Sequence, residues 1–516
     1  MRGWRSGSTA AWGGVLLMVC GCAVGPDYER PELVTPDEWH TRIADEMSQP
    51  EPDITRWWET LGDTTLIALI KQAELGNLDL RTAVARVREA RAARGIAKGD
   101  YFPQVALDGT YTTFELSQNG IQGQQIVDGG GTIEREEEFA VGAGLFWEID
   151  LFGRVRRQNE AARAAFEGSI EDFRDVLVSL FAEVATAYVD IRTLEARLEV
   201  LRLNVEAQRR TVQLTTDRFN AGLVSRLDVT QAQTNLSVSE AGIPVLETQL
   251  TAALNRLAVL VGTPPGSIRA ALPATGAIPE APDSVATGLP AELLRRRPDV
   301  RRAERQLASQ TALIGVARAD LYPSFSLGGA LSLVAGSAGD LGSGESVEWS
   351  LLPGVRWNLF TGGKIRSNIA VQEARTEQLL LQYEQSVLLA LEEVETALVA
   401  FEQERFRRDR IADAVTAAAE SVEIVRTQYR SGLVDFQRYV DSERALAVEQ
   451  DRLAESEGLV VLNLIRLNRA LGGGWDPDAP EPDTAQEEAE GDGSDGIGPG
   501  SEDTDRIQVE SMGGAR

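Results

Sequence analysis

The stretch from residue 364 to residue 431, KIRSNIAVQEARTEQLLLQYEQSVLLALEEVETALVAFEQERFRRDRIADAVTAAAESVEIVRTQYRS, decides how this chain folds. Its 68 residues contain neither glycine nor proline, and they lie between Gly363 and Gly432. One unbroken helix of that length measures about 100 Å at 1.5 Å per residue, whereas ordinary helices average about 11–12 residues. The stretch therefore predicts a long helix that ends near Gly432, followed by a second helix that returns antiparallel to about Leu471. Apolar residues recur along it every three or four positions, as in coiled coils: Val387, Leu391, Val394, Leu398 and Phe401.

An earlier part of the chain repeats this pattern. The segment between Gly153 and Gly222 also has 68 residues and contains only one glycine, Gly168. DYFP at 100–103 matches DLYP at 320–323, and AGLV at 221–224 matches SGLV at 431–434. These matches predict an internal duplication in which each copy runs helix, strand, strand, helix, helix. The apolar seam of the first copy consists of Leu177, Leu180, Val184, Ala187, Ile191, Leu194, Leu198, Leu201 and Val205.

Four short segments show the period of two that is typical of strands. They lie at about 103–116, 139–149, 323–334 and 347–358, and apolar side chains alternate in them with small or polar ones. Strands of about ten residues with one apolar face are typical of a membrane β-barrel wall, although amphipathic hairpins on a soluble core would give the same alternation. Four strands cannot close a barrel, which needs at least about eight, and an open edge is excluded in lipid. The barrel interpretation therefore requires several copies, and three copies supply twelve strands.

Composition excludes most enzyme classes and nucleic-acid binding. The chain has 79 acidic and 51 basic residues and a formal net charge of −28, which opposes phosphate binding. With one histidine, His40, and two cysteines, Cys20 and Cys22, the folded body lacks a disulfide and any cysteine–histidine nucleophile. The last segment, 473–516, carries 13 acidic residues and 2 arginines, so it is predicted to be a disordered tail.

The first 22 residues resemble a bacterial lipoprotein signal. Arg2 and Arg5 precede a short apolar run that ends in VCGC at 19–22. The resemblance implies cleavage before Cys22 and attachment of lipid to that residue, with several acyl chains giving durable anchoring. Ala23 follows, which favours delivery to the outer membrane. The alternative is an ordinary signal peptide with an incidental cysteine.

Taken together, these features resemble the TolC-like outer-membrane efflux factors, specifically their NodT-type lipoprotein branch. The matching segments, over about residues 22–474, are CAVGPDY at 22–28, WW at 57–58, RRRPDVR at 295–301, IGVA at 314–317 through LYP at 321–323, and 429–441. The resemblance implies an α+β membrane protein, a homotrimer with a twelve-stranded outer-membrane barrel continuous with a twelve-helix periplasmic barrel. It further implies a passive exit duct that needs no cofactor, docked to a periplasmic adaptor and to an inner-membrane pump of the resistance–nodulation–division type.

The resemblance and the repeat together divide the chain. We use 'waist' for the segments expected to wrap around the middle of the helical barrel. We expect a signal peptide at 1–21, an acylated N-terminus and waist segment at 22–63, a first repeat at 64–262, a proline-rich waist connector at 263–290, a second repeat at 291–472 and the acidic tail at 473–516.

The resemblance also places a gate at the periplasmic tip, where the helices turn at Gly222 and Gly432. Asp441 matches a family aspartate that narrows the opening, and three copies of a carboxylate around one axis attract cations. The first repeat has Gln231 at that position. Asp435 and Arg438 lie nearby, and each of the three charged residues, Asp441 included, could instead belong to an ordinary solvated helix face.

Tyr429 matches a family tyrosine that ties neighbouring helices together near the closed tip. Its counterpart in the first repeat is Phe219, so only Tyr429 carries a hydroxyl there. Simple core packing of Tyr429 is the alternative.

Three other functions remain to be weighed. A periplasmic adaptor would have one helical hairpin and soluble β-domains, and a structural coiled-coil lipoprotein would leave the four strands unexplained. A carboxylate-based hydrolase would need a pocket, whereas the acidic residues here lie on helix faces.

Overall fold

The computed structural model describes residues 23–32, 36, 39–40, 54–273, 276–282 and 296–482. Cys22, the signal segment and most of the acidic tail therefore lie outside the described residues, as do parts of the connector. The chain divides into two units, Met1–Asp476 and Pro477–Arg516. In the second unit only 477–482 is described, and it contains neither helix nor strand.

The first unit contains two copies of one arrangement. The first copy consists of α1 (Thr64–Gly76), α2 (Leu78–Gly99), β1 (Gln104–Glu115), α3 (Ile121–Asp128), β2 (Arg135–Ile149), α4 (Arg154–Asn220) and α5 (Arg226–Leu260). The second consists of α6 (Pro298–Ala319), β3 (Ser324–Ala335), β4 (Val347–Arg356), α7 (Lys364–Arg430) and α8 (Phe436–Ala470). The short helix α3, in the longer β1–β2 link, was not predicted, and β2 begins at Arg135 rather than near 139.

The long helices begin and end as glycine placement predicts. Helices α4 and α7 each span 67 residues, about 100 Å at 1.5 Å per residue. Gly153 and Gly363 precede them with positive φ, a conformation that glycine adopts without steric cost. Each long helix pairs with its shorter return helix, α4 with α5 and α7 with α8, and α8 packs against α4. The four therefore lie side by side in the order α7, α8, α4, α5.

The strands form one antiparallel sheet in the order β1-β2-β3-β4. Its register places Leu107 beside Ala143, Ala143 beside Leu331, and Leu331 beside Trp349. Side chains alternate between faces along each strand, so all odd-numbered residues share one face. This is the predicted apolar face, and it is continuous across both copies of the duplication.

The main core lies where the short helices pack against the long ones. Trp57 and Trp58 are buried there, and the Trp58 ring meets Phe181 edge to face with centroids 4.8 Å apart. Asp63 starts α1 by accepting hydrogen bonds from the backbone N–H of Thr65 and Leu66 at 2.8 and 3.0 Å. The two tryptophans therefore act in packing. Among the described helices, none combines the length and apolar content needed to cross a bilayer.

Candidate functional site

The two helical hairpins end in turns of the same geometry. Gly222 and Gly432 have φ of 73° and 74°. In each turn the glycine N–H donates to a carbonyl three residues back, at 2.9 and 3.0 Å, and the following leucine N–H donates to a carbonyl five residues back. A Cβ on either glycine would touch nothing within 4 Å. Backbone conformation alone therefore favours glycine at these two positions.

The start of each return helix differs between the copies. Asp435 caps α8, because its carboxylate accepts a hydrogen bond from the backbone N–H of Arg438 at 2.9 Å. The equivalent residue in the first copy is Ser225, whose hydroxyl donates to Asp228 at 3.0 Å. Within its own chain Asp435 therefore acts as a helix cap.

Asp441 lies one and a half turns further along α8 and is exposed. Its Oδ1 accepts a hydrogen bond from Gln437 Nε2 at 2.9 Å and lies 3.9 Å from Arg444 Nη1. The Arg438 side chain is also exposed and forms no ion pair with any residue that the structure describes. Both groups therefore remain available to a facing surface.

Tyr429 lies at the centre of a small aromatic cluster beneath the turns. Its ring stacks on Tyr439, with centroids 5.5 Å apart and planes 5° apart, and it also contacts Phe436. The Arg218 guanidinium lies over the same ring at 4.7 Å, and Arg218 Nη1 donates to the carbonyl oxygens of Tyr429 and Arg430 at 3.0 and 3.3 Å. The cation also sits at the C-terminus of α7, where it is stabilised by the helix dipole. Arg218 therefore joins the end of α4 to the end of α7.

The Tyr429 hydroxyl is buried and has no hydrogen-bond partner among the described residues. Its burial raises the pKa of the phenol. Within one chain, Arg218 thus connects the two helix ends by contacting the ring and the carbonyl oxygen of Tyr429. The hydroxyl bond implied by the family resemblance is not made to any residue that the structure describes.

One helical turn beyond Tyr439, further from the hairpin turns, a partly buried carboxyl group lies in the α4–α8 seam. Glu443 Oε1 accepts a hydrogen bond from the Thr211 hydroxyl at 3.0 Å and also interacts with the Tyr439 hydroxyl. Burial raises the Glu443 pKa, although these hydrogen bonds and Arg426 lower it, and burial beside Glu443 raises the Tyr439 pKa to about 12. The seam therefore favours the protonated form of Glu443 more than water does.

Sequence reasoning did not select Arg218, Tyr439 or Glu443. A position-by-position comparison of the two copies would have found them, because the 210-residue offset pairs Arg218 with Gln428, Tyr439 with Val229, and Glu443 with Gln233. Each is a change in chemistry inside an otherwise repeated pattern. The described residues contain no group of histidine, cysteine and carboxylate side chains arranged to hold a metal ion.

Comparison with known proteins identifies the family. The family model described as outer membrane efflux protein matches residues 69–263 and 289–473, one match for each copy of the duplication. The chain belongs to the outer membrane efflux protein family. Members of this family are channel proteins, and the chain is accordingly an outer-membrane efflux channel. The predicted family, function and location are thereby confirmed in preference to a periplasmic adaptor or a structural lipoprotein.

Relatives cover nearly the whole chain. It is 30% identical to nodulation protein T of Rhizobium leguminosarum bv. trifolii, over 89% of this chain and 96% of that one. It is 29% identical to the outer membrane protein OprJ of Pseudomonas aeruginosa, over 90% and 95%. The solved structure of the outer-membrane channel OprN matches with a TM-score of 0.82 and 34% identity, over 88% of this chain and all of that one. The fold is therefore that of TolC-like outer-membrane channels.

Proposed function

We propose that three copies of this chain form the passive exit duct of a tripartite efflux system. Each copy contributes four strands to a twelve-stranded barrel in the outer membrane and four helical rods to a twelve-helix periplasmic tunnel. The duct docks a periplasmic adaptor and an inner-membrane pump of the resistance–nodulation–division type, which supplies the energy. It performs no catalysis and needs no cofactor beyond the lipid on Cys22.

The sheet edges support assembly into a closed wall. β1 and β4 are the outer strands, so each has one unpaired edge. They also expose large apolar side chains: Leu107 is 79% exposed and Trp349 is 73% exposed. Because the four strands alternate in direction, β4 of one copy lies antiparallel to β1 of the next. Closure pairs both edges and turns the apolar face towards lipid.

The helices support the same assembly. Inside the chain, α8 packs against α4. The duplication makes α5 and α7 the equivalent pair, yet they form no comparable interface among the described residues. Each carries exposed apolar side chains, including Val238 and Val245 on α5 and Leu381, Leu388 and Phe406 on α7. Packing of α5 against α7 of the next copy covers these side chains and closes a ring of twelve.

At the periplasmic end, the two turns form the tip of the tunnel. The exposed Asp441 carboxylates of three copies form the constriction, and Asp435, Arg438 and Tyr429 support it. Like charges around one axis oppose closure, while the stacked Arg218–Tyr429 contact within each copy favours it. The equilibrium between the open and closed tip therefore depends on carboxylate repulsion, which favours opening, and on helix contacts, which favour closure.

Two relatives indicate what such ducts export. One is named a solvent efflux pump outer membrane protein from Pseudomonas putida, and another a cation efflux system protein from Escherichia coli. Because a passive duct discriminates little between cargo molecules, we assign the choice of cargo to the pump. After removal of residues 1–21, lipid on Cys22 anchors each copy at the inner face of the outer membrane.

Single-channel conductance in planar bilayers tests this function. Purified trimers should give small cation-selective openings, and Asp441→Ala should enlarge them or abolish the selectivity, whereas Gln231→Ala at the equivalent position should not. Mass spectrometry of the same preparation should show acylated Cys22. A pore that is indifferent to Asp441→Ala would reject the proposed constriction. Folded, inserted trimers that never conduct would reject the duct itself.

A further inference from the structure

Residues just after the proposed lipidation site are held against the base of the sheet. The backbone N–H of Val24 donates to the carbonyl oxygen of Phe152 at 3.0 Å. Ala23 lies so close to Gly153 that a Cβ built on that glycine would be 2.6 Å from the Ala23 Cα. Gly153 separates strand β2 from helix α4, so the segment meets the junction where the strands end and the rods begin.

Two glycines allow a second close contact with α6. A Cβ on Gly25 would lie 2.4 Å from the Cα of Gly315, and Gly25 itself has a φ of 103°. A Cβ on Gly315 would lie 2.7 Å from Arg157 Cγ and 2.9 Å from the Val24 carbonyl oxygen. The segment thus lies in a groove between α4 and α6 that any larger residue at position 315 would obstruct.

Arg157 closes this groove. It is 4% exposed, and its guanidinium donates to the carbonyl oxygens of Val24 and Gly25, each at 3.3 Å. Its other contacts are with the carboxylates of Asp27 and Glu160, both at 2.7 Å. Arginine presents its donors in a rigid planar fork and stays charged, so one side chain can hold two carbonyls and a carboxylate together.

The duplication creates a second junction of the same kind. Gly363 is equivalent to Gly153 at the 210-residue offset, and Gly95 is equivalent to Gly315 at the 220-residue offset. Helix α2, which carries Gly95, forms no interface with α7 comparable to that between α6 and α4 among the described residues, so a Cβ on Gly95 meets nothing within 4 Å in a single chain. The residue equivalent to Arg157 is Ser367, which is too short to bind a backbone segment in this way. The two junctions therefore share their glycines and differ in the arginine.

We propose that Arg157 is the positioning residue that directs the lipid-bearing N-terminus to the β2–α4 junction rather than to its duplicate at β4–α7. Ala23, the first described residue of this segment, lies against Gly153 at the base of β2, and consecutive Cα atoms are about 3.8 Å apart, so lipid on the preceding residue would be attached close to this junction. The acyl chains are then tied at a fixed height relative to the sheet. This inference rests on the proposed lipidation of Cys22, whereas the seat itself needs only residues 23–28.

Hydrogen–deuterium exchange of the full-length acylated trimer tests the seat through the peptide that covers residues 23–32. Arg157→Ser copies the second junction and removes charge-assisted bonds, so exchange in that peptide should be about 10- to 100-fold faster. Arg157→Lys keeps the charge but replaces the planar fork with a single donor nitrogen, and should give an intermediate rate. Arg156→Ser is the matched control, because Arg156 pairs with Asp150 and not with the N-terminal segment.

Glycine substitutions give an independent pair of variants. Gly315→Ala places a methyl group against Arg157 and the Val24 carbonyl and should also release the segment, whereas Gly95→Ala should leave its exchange unchanged. Trimer content and far-ultraviolet circular dichroism should match the wild type in all variants scored. Unchanged protection in both Arg157→Ser and Gly315→Ala would overturn the inference. A protected segment on a chain without acyl mass at Cys22 would instead overturn only the lipid proposal.

Discussion

Replacing Arg218 with glutamine should destabilise the closed tip. Glutamine occupies the equivalent position in the second copy, as Gln428. The replacement also preserves helix propensity. The change removes the cation over the Tyr429 ring, 4.7 Å away, and the charge at the end of α7. It keeps at most a neutral hydrogen bond in place of the two charge-assisted bonds to the Tyr429 and Arg430 carbonyl oxygens.

The expected loss can be estimated from these contacts. A half-buried cation–π contact contributes about 1 kcal/mol, and exchanging charge-assisted bonds for a neutral one loses about another 1 kcal/mol. Each copy should therefore lose about 2 kcal/mol of the free energy that holds the two hairpin ends together. Since about 1.4 kcal/mol corresponds to a factor of ten, the ratio of open to closed hairpin ends should rise roughly 30-fold for each copy whose contact must break.

Planar-bilayer recordings at constant voltage measure this ratio as the time spent in the larger conductance state. Arg210→Gln is the control, because Arg210 lies on the same helix and, among the described residues, its side chain donates only to the Glu206 carbonyl oxygen one turn earlier in that helix. In the double variant with Tyr429→Leu, the two losses should add incompletely, with a coupling of about 1 kcal/mol. An unchanged open fraction in Arg218→Gln, or an equal rise in Arg210→Gln, would refute the proposed tie.

Three further outcomes follow from the described contacts. Burial raises the Glu443 pKa, so its contribution to the stability of the fold is fully present below the unfolded pKa of about 4.3 and is lost as the pH rises through the folded pKa. Glu443→Gln removes the ionisable group. It should therefore raise the calorimetric Tm by about 2 °C at pH 8 and leave it unchanged at pH 4. Gly458→Ala would place a Cβ 2.1 Å from Thr193 Oγ1 and should destabilise the α4–α8 seam by about 1–3 kcal/mol in denaturant unfolding, whereas Gly168→Ala, whose nearest neighbour would be 3.5 Å away, should not destabilise it. Gly432→Ala, at a φ of 74°, should cost about 1–2 kcal/mol in the same measurement, and no cost would remove the conformational argument.

Much of the architecture could be predicted because local patterns specify it. The stretches between Gly153 and Gly222 and between Gly363 and Gly432 predicted α4 and α7 almost residue for residue, since few side chains interrupt a helix and only glycine readily adopts the turn at positions 222 and 432. The period-two segments likewise indicated four strands and their apolar face. The start of β2 was missed because charged residues such as Glu137 extend the strand beyond its apolar alternation. Helix α3 was missed because its short sequence has no apolar stripe long enough to distinguish it from a loop.

The chain by itself determined the duplication, the rods, the strands and the family, because these depend on periodicity and on residues near one another in sequence. Only the tertiary structure decided which distant groups meet. It placed Arg218 on Tyr429, 211 positions away, and Arg157 on the segment at 24–27, at least 130 positions away. Such contacts depend on how helices pack and on which side chain faces the interface between them. A local sequence pattern does not specify either. The duplication supplies equivalent positions, and packing determines which of each pair acquires a partner.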